Sequence, residues 1–234
     1  MLWNKIIGSG GAGGAAPELT VTYLDTLTTN SVSSLSIGDP DPTRTIVVVY
    51  DTYYSTTSGA VVSSITIGGV SSLQVKGRSN SNIYSASVAF GARVVPEGTT
   101  IDIVVNRSSA TNERLHVFKI TGAYPTEINA GSAFTSIPNN ATSVDHDIAW
   151  GTPSTYALVF SGISSYMLNS NSGESALGSD GLMTLVNGNH NYLLSSAYTS
   201  SQTTTAPFNV QWLAAPAKDF ATLSHLIGSF AIGY

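Results

Sequence analysis

Three neighbouring residues, Asp145, His146 and Asp147, carry the densest chemistry in the chain. Two carboxylates beside an imidazole suit metal ligation or acid–base work. Their surroundings read as a strand, however, and a strand turns successive side chains to opposite faces. Asp145 and Asp147 would then project together and His146 away from them, so the three do not converge. A solvated strand face is the expectation. Asp39 and Asp41, separated by Pro40, offer a second set of oxygens, with Asp51 or Glu97 as candidates to complete a calcium shell. Calcium takes six or more oxygens, the glycine-containing loop of an EF-hand is missing, and Asp-Pro pairs ordinarily start turns. Neither a metal nor a cofactor is expected.

The other histidines, His116, His190 and His225, are far apart, and no Gly-x-Ser-x-Gly elbow accompanies the many serines. The glycine-rich stretch 8–16 lacks the Gly-Lys-Ser/Thr ending of a phosphate loop. The expectation is therefore a non-enzyme, with a hydrolase assembled from distant loops as the weakest alternative. Aromatics beside amides make a softer constellation. Tyr53 and Tyr54 follow a predicted strand end, Tyr166, Asn169 and Asn171 share a predicted loop, and His190 and Tyr192 flank a predicted hairpin. Flat rings supply stacking, and amides supply directed hydrogen bonds, so these seven are candidate contacts to a glycan.

The elements that must position these residues are strands. Period-two alternation runs through Leu19, Val21 and Tyr23, through Ile101, Ile103 and Val105 with Asp102 facing away, and through Phe208, Val210 and Trp212. The segment 84–90 alternates too, with Tyr84, Ala86, Val88 and Phe90 on one face and Ser85 and Ser87 on the other. Segments 45–50 and 156–160 are apolar on both faces, the pattern of strands covered on both sides. Further strands are predicted over 61–67, 115–120, 144–150, 182–186, 192–198 and 223–234. Asn187-Gly188 marks a hairpin. The passage 169–181 reads as a long surface loop and 130–140 as a crossover between sheets; no internal repeat stands out. The expected fold is all-β, one antiparallel β-sandwich of jelly-roll type over 17–234.

Composition agrees with that class. Only 10% of the 234 residues are charged, 42% are hydrophobic, and polarity comes mostly from hydroxyls and amides. A net charge of −5 with scattered basic residues argues against a nucleic-acid partner. No apolar run has the length of a membrane span, and a chain without cysteine has no disulfide framework.

Residues 1–16 stand apart as an apolar peptide on a glycine-rich arm. Leu2, Trp3, Ile6 and Ile7 are too apolar to rest in water, and glycines are costly to order. The peptide is expected either to add a strand to its own sheet or, the favoured reading, to anchor in a partner with the tryptophan as hot spot.

The Trp-containing start with its Gly/Ala arm, followed by "VVSSITIGGV", "VVPEGTTIDIVVNRSS" and "LHVFKITGAYPT", resembles accessory virion proteins of tailed bacteriophages, the β-sandwich modules of head decoration, spike and tail-fibre type. The resemblance implies a structural virion protein, assembled in the bacterial cytoplasm and docked on capsid or tail. It also implies partnership with other virion proteins, a homo-oligomer (a trimer in fibres and spikes) and contact with a host surface glycan. The alternative it leaves is a carbohydrate- or receptor-binding fibre module.

Overall fold

The computed structural model describes Lys5–Ile7 and residues 17–234 except 57, 81–84, 137–142, 151–155, 166–173, 179–182, 186–193, 200–201, 204–206 and 215–224. The described residues are strands and connecting turns, with no helix among them. In chain order the first ten strands are β1 (Lys5–Ile7), β2 (Leu19–Leu27), β3 (Ser31–Ser36), β4 (Thr45–Tyr54), β5 (Val62–Ile67), β6 (Val70–Ser71), β7 (Leu73–Asn80), β8 (Ser85–Val94), β9 (Thr100–Arg107) and β10 (Asn112–Thr121). The others are β11 (Glu127–Ser136), β12 (Ser143–Ile148), β13 (Tyr156–Ser165), β14 (Glu174–Gly178), β15 (Met183–Leu185), β16 (Leu194–Thr199), β17 (Gln202–Thr203), β18 (Phe208–Ala214) and β19 (His225–Gly233).

All pairings among them are antiparallel. They form four sheets: β1-β2-β10-β4-β8-β7, β3-β9-β5-β6, β11-β19-β13-β16-β15 with β17 also on β13, and β12-β18-β14. Three apolar cores bind the sheets into four layers. Ile46, Val48, Leu115 and Val117 of the first sheet meet Ile65, Ile67, Ile103 and Val105 of the second. The opposite face of the first sheet, with Val47, Val49, Phe90 and Phe118, packs on Leu158, Phe160, Phe230 and Ile232 of the third. The far side of the third sheet, with Val159, Ile163 and Ile227, closes on Ile148, Val210 and Trp212 of the fourth. β4 and β13 are covered on both faces, which is why 46–50 and 157–160 within them are unbroken runs of aliphatic and aromatic residues.

The chain therefore folds as two sandwiches stacked through a central seam, where a single sandwich over 17–234 was expected. Their strand orders match. In the first half β2-β10-β4-β8-β7 lies over β3-β9-β5; in the second, β11-β19-β13-β16-β15 lies over β12-β18-β14. Taken in chain order, these two sets of eight correspond one to one, a repeat that the divergent residues conceal. β1, β6 and β17 fall outside the correspondence.

Other expectations also change. The supposed crossover at 130–140 is strand β11 as far as Ser136, and the supposed surface loop at 169–181 contains β14. β3 and β7 lack an apolar alternation strong enough to announce them; their residues are mostly exposed or half-buried. Ser85 and Ser87 share the strand with Ala86, Val88 and Phe90 as expected, yet both are buried, because β8 is covered on both sides. Their hydroxyls donate to backbone carbonyls, Ser85 to Gly59 and Ser87 to Ala60. β15 and β16 pair antiparallel with Leu185 opposite Ala197, and the Asn187-Gly188 turn expected between such strands lies outside the described residues.

Candidate functional site

Three places hold polar groups in arrangements that hydrophobic patterning does not explain: the seam, the turns that precede β4 and β9, and a groove on the outer sheet of the first half.

At the seam, Asp51 is the seventh residue of β4 and Gly162 the seventh of β13. These strands correspond in the two halves and pack on each other. Register extends the correspondence. Asp51 lies opposite Arg114 and Val49 opposite His116 in the first half; Gly162 lies opposite Gly228 and Phe160 opposite Phe230 in the second. One half places Asp51, Arg114 and His116 where the other places Gly162, Gly228 and Phe230. A Cβ on Gly162 would come within 2.4 Å of Asp51 Oδ1, so the missing side chain is what leaves room for the carboxyl.

Asp51 and His116 are fully buried. His116 Nε2 lies 3.2 Å from Asp51 Oδ2, off the line of a well-directed hydrogen bond. His116 Nδ1 lies 2.8 Å from Thr26 Oγ1, which also accepts from the Tyr23 hydroxyl. Hydroxyl, imidazole and carboxyl in series form the order of a nucleophile relay. Burial sets the cluster against that use. It pushes the imidazole down to about 3, with the nearby Arg114 charge acting the same way, and holds the Asp51 carboxyl well above the usual carboxylate range. A general base works with a pKa near the ambient pH. An imidazole that stays neutral to about 3 is a poor acceptor for the Thr26 proton. The cluster is suited to fixing the packing of two faces.

A second imidazole–hydroxyl contact lies in the core of the second half, where His146 Nε2 is 2.6 Å from Ser229 Oγ. Nearby, the Trp212 indole donates to Ser161 Oγ, which donates to the Gly228 carbonyl. Asp147 is exposed and accepts from the Asn209 amide. The alternation expected at 146 and 147 is thus present, with imidazole inward and carboxylate outward.

The Asp39–Asp41 turn is occupied by an arginine. Arg44 is fully buried, and its guanidinium donates to the carbonyls of Gly38, Asp39, Val95, Glu97 and Gly98, all within 3.0 Å. Asp41 Oδ1 accepts from the Thr43 amide and hydroxyl, which hold its carboxyl below the usual range. Asp51, a candidate to complete the calcium shell, is buried at the seam. The Arg44 guanidinium engages backbone carbonyls of this turn, and no metal-ligand cluster occurs among the described residues.

The groove is bounded by the turn between β5 and β6, the end of β8 and the start of β9. It encloses about 610 Å³. Arg93, half-buried, donates through Nη1 to the Ile67 carbonyl at 2.8 Å. Asp102 Oδ1 accepts from the Ser34 amide at 2.8 Å, and Ser34 has a positive φ of 52°. Such a backbone is uncommon for a residue with a side chain. Glu97 and Thr100 stand exposed at the rim, while Pro96, exposed beside the buried Val95 and Ile101, gives an apolar surface.

Of the seven expected glycan contacts, the structure describes two, Tyr53 and Tyr54. Tyr53 is 1% exposed, and with its ring enclosed in the core it is withdrawn as a contact. Tyr54 is half-buried, its ring against Gly59. Tyr166, Asn169, Asn171, His190 and Tyr192 lie outside the described residues, as do Leu2 and Trp3. Ile6 and Ile7 lie in β1, whose register against β2 is Lys5↔Val21, Ile6↔Thr20 and Ile7↔Leu19. The groove residues escaped sequence reading because their signal, a serine with positive φ between serines and leucines, is not visible in residue types. No protein-family model, curated protein or solved structure matches the chain.

Proposed function

We propose that the protein is a structural component of a tailed-phage virion, joined to capsid or tail through its N-terminal segment and displaying a stack of two sandwiches outward. Within each half, the first, last, third and sixth strands share one sheet in the jelly-roll order, with the fifth beside the sixth. We read the fold as a duplicated jelly roll on that basis.

The observation that carries the reading is the position of β1. The second half closes its sandwich with eight strands and has no counterpart of β1 among the described residues. β1 is thus additional to the unit that folds, tied to it by a connection with five glycines between Ile7 and Leu19. A strand not needed by its own sandwich is suited to strand addition on a partner, where backbone hydrogen bonds supply affinity. The closely packed body behind it suits a displayed part.

Deletion of residues 1–16 tests the reading. The expected outcome is a folded protein that no longer enters particles; incorporation at the normal level refutes the attachment role.

A further inference from the structure

We propose that the groove between the β5–β6 turn and the start of β9 is a binding site for a neutral carbohydrate, with Arg93 and Asp102 as the groups that grip its hydroxyls. The proposal rests on the reading of a displayed protein that meets a surface, and it gives that contact a location and a ligand class.

Size comes first. A space of about 610 Å³ falls within the range of small-ligand pockets. Two chemically opposite side chains are already held in place within it. The Ile67 carbonyl holds one arm of the Arg93 guanidinium, which carries five donors in all. The Ser34 amide holds one oxygen of Asp102, and a carboxylate has acceptor sites to spare. Groups fixed before the ligand arrives lose less entropy on binding. A pair of adjacent sugar hydroxyls, each both donor and acceptor, matches a fixed donor set and a fixed acceptor set.

Charge selects among ligands. Arg93 is accompanied by Asp102 and Glu97, so the lining carries one positive and two negative groups. Phosphate, sulfate or a uronic acid would meet a net repulsion, whereas a neutral sugar would not. Pro96, exposed beside the buried Val95 and Ile101, supplies an apolar surface for the C–H face of a pyranose. Ser34 sits in the bulge where the register of β3 against β9 shifts, which gives it its positive φ and turns its amide towards Asp102; bulges of this kind re-aim groups beside binding sites. Gly68 completes the cradle. It has a φ of +60°, and a Cβ there would lie 3.3 Å from Arg93 Nη1, which would press on the guanidinium.

The test is an array of neutral oligosaccharides beside carboxylated and sulfated ones, probed with the full chain, with Thr100→Trp and with Asp102→Asn. Thr100 is exposed at the rim, so an indole there fills the groove without entering a core. Asn at 102 keeps an oxygen for the Ser34 amide and loses the charge. The expected result is binding to a subset of neutral sugars, weakened at least tenfold in both variants, with melting temperatures unchanged. Binding to none of the probes, binding to acidic sugars alone, or full binding by Thr100→Trp would each overturn the proposal. Incorporation of Thr100→Trp into particles is read separately and is expected at the normal level, so failure of the attachment reading is not mistaken for failure of this one.

Discussion

Strand for strand the two halves match, yet the surfaces they press together are not copies. Identical faces would bring Asp51 towards a second carboxylate out of water, because its counterpart Gly162 lies directly against it. Buried polar groups without good partners are costly, and like charges more so. The second half instead presents Gly162, Gly228 and Phe230 at the corresponding positions. The carboxyl enters the space that a missing side chain leaves, the Ser164 hydroxyl donates across the seam to the Thr52 carbonyl, and aromatic rings fill much of the remainder. Phe90 stacks on Phe230 at 5.6 Å between ring centroids, and Phe118 meets Phe160 at 5.2 Å. Such pairs contribute about 1 kcal/mol each beyond the area they bury. Two sandwiches with one strand order have thus become unlike partners that fit in one register.

The largest effect is expected in the turns of the first half. Arg44 precedes β4 and ties five carbonyls from two turns; the second half has a threonine, Thr155, at the matching sequence position, outside the described residues. Arg44→Met orphans those carbonyls and is expected to destabilise the first half by roughly 4 kcal/mol. In a urea titration the loss should split one transition into two, with the second half unfolding later. A single transition shifted as a whole would mean that the seam couples the halves more strongly than the turns stabilise either.

Next is the seam itself. Gly162→Ala drives a methyl group to within 2.4 Å of Asp51 Oδ1 and 2.8 Å of Val49 Cγ1. Overpacking of this kind costs about 1–3 kcal/mol. The double variant Gly162→Ala/Asp51→Ala should recover at least half of that loss, since it removes the group struck. Additive losses in denaturant titrations would show that the two positions do not meet.

How much of this was legible in the residues can be judged position by position. β4, β13 and the outer alternation at Ile101, Ile103 and Val105 were legible because side-chain period reports burial directly. The division into two sandwiches was not. Period two says that a face is covered but not which sheet covers it, so β8 and β13, buried on both sides, look alike whether they lie in one sandwich or a stack of four layers. The repeat was hidden for the same reason: strand order is long-range, and Asp51 and Gly162 share a structural position without sharing chemistry. Arg44 carried no signal in the sequence, because a guanidinium among backbone carbonyls leaves no mark in side-chain spacing.

Acid titration sharpens the contrast between the polar face and its glycine-bearing partner. Burial lowers His116 to about 3, so between the ordinary 6.5 and about 3 the unfolded chain binds a proton that the folded chain refuses. The stability that a neutral His116 contributes is complete above 6.5 and is lost as the pH falls towards 3. Asp51 acts with the opposite sign. Its raised carboxyl keeps a proton above 3.8 that the unfolded chain has released, which costs stability as the pH rises. His116→Gln should therefore flatten the acid limb of a melting-temperature profile between pH 6.5 and 4. The gain or reduced loss from Asp51→Asn should grow from pH 4 to 7. Parallel profiles for both variants and the unsubstituted chain would show that neither group is buried as described.

The smallest effect is expected where the halves differ most visibly, at the edge strand β1. A strand that belonged to the sandwich would have a counterpart beside β11, and its loss would uncover core residues such as Leu19 and Val21. The second half forms without such a counterpart among the described residues, and only three register pairs join β1 to β2. Each pair contributes modest net hydrogen-bond energy, offset by the entropy of ordering a glycine-rich connection. Deletion of residues 1–16 should thus change stability by less than about 0.5 kcal/mol, a shift of roughly 1–2 °C in calorimetry for a chain of this size. A loss of several kcal/mol would make β1 a working member of the first sandwich. The segment would then be unable to leave its place on β2 for a partner, and attachment to a particle would have to be sought on another surface.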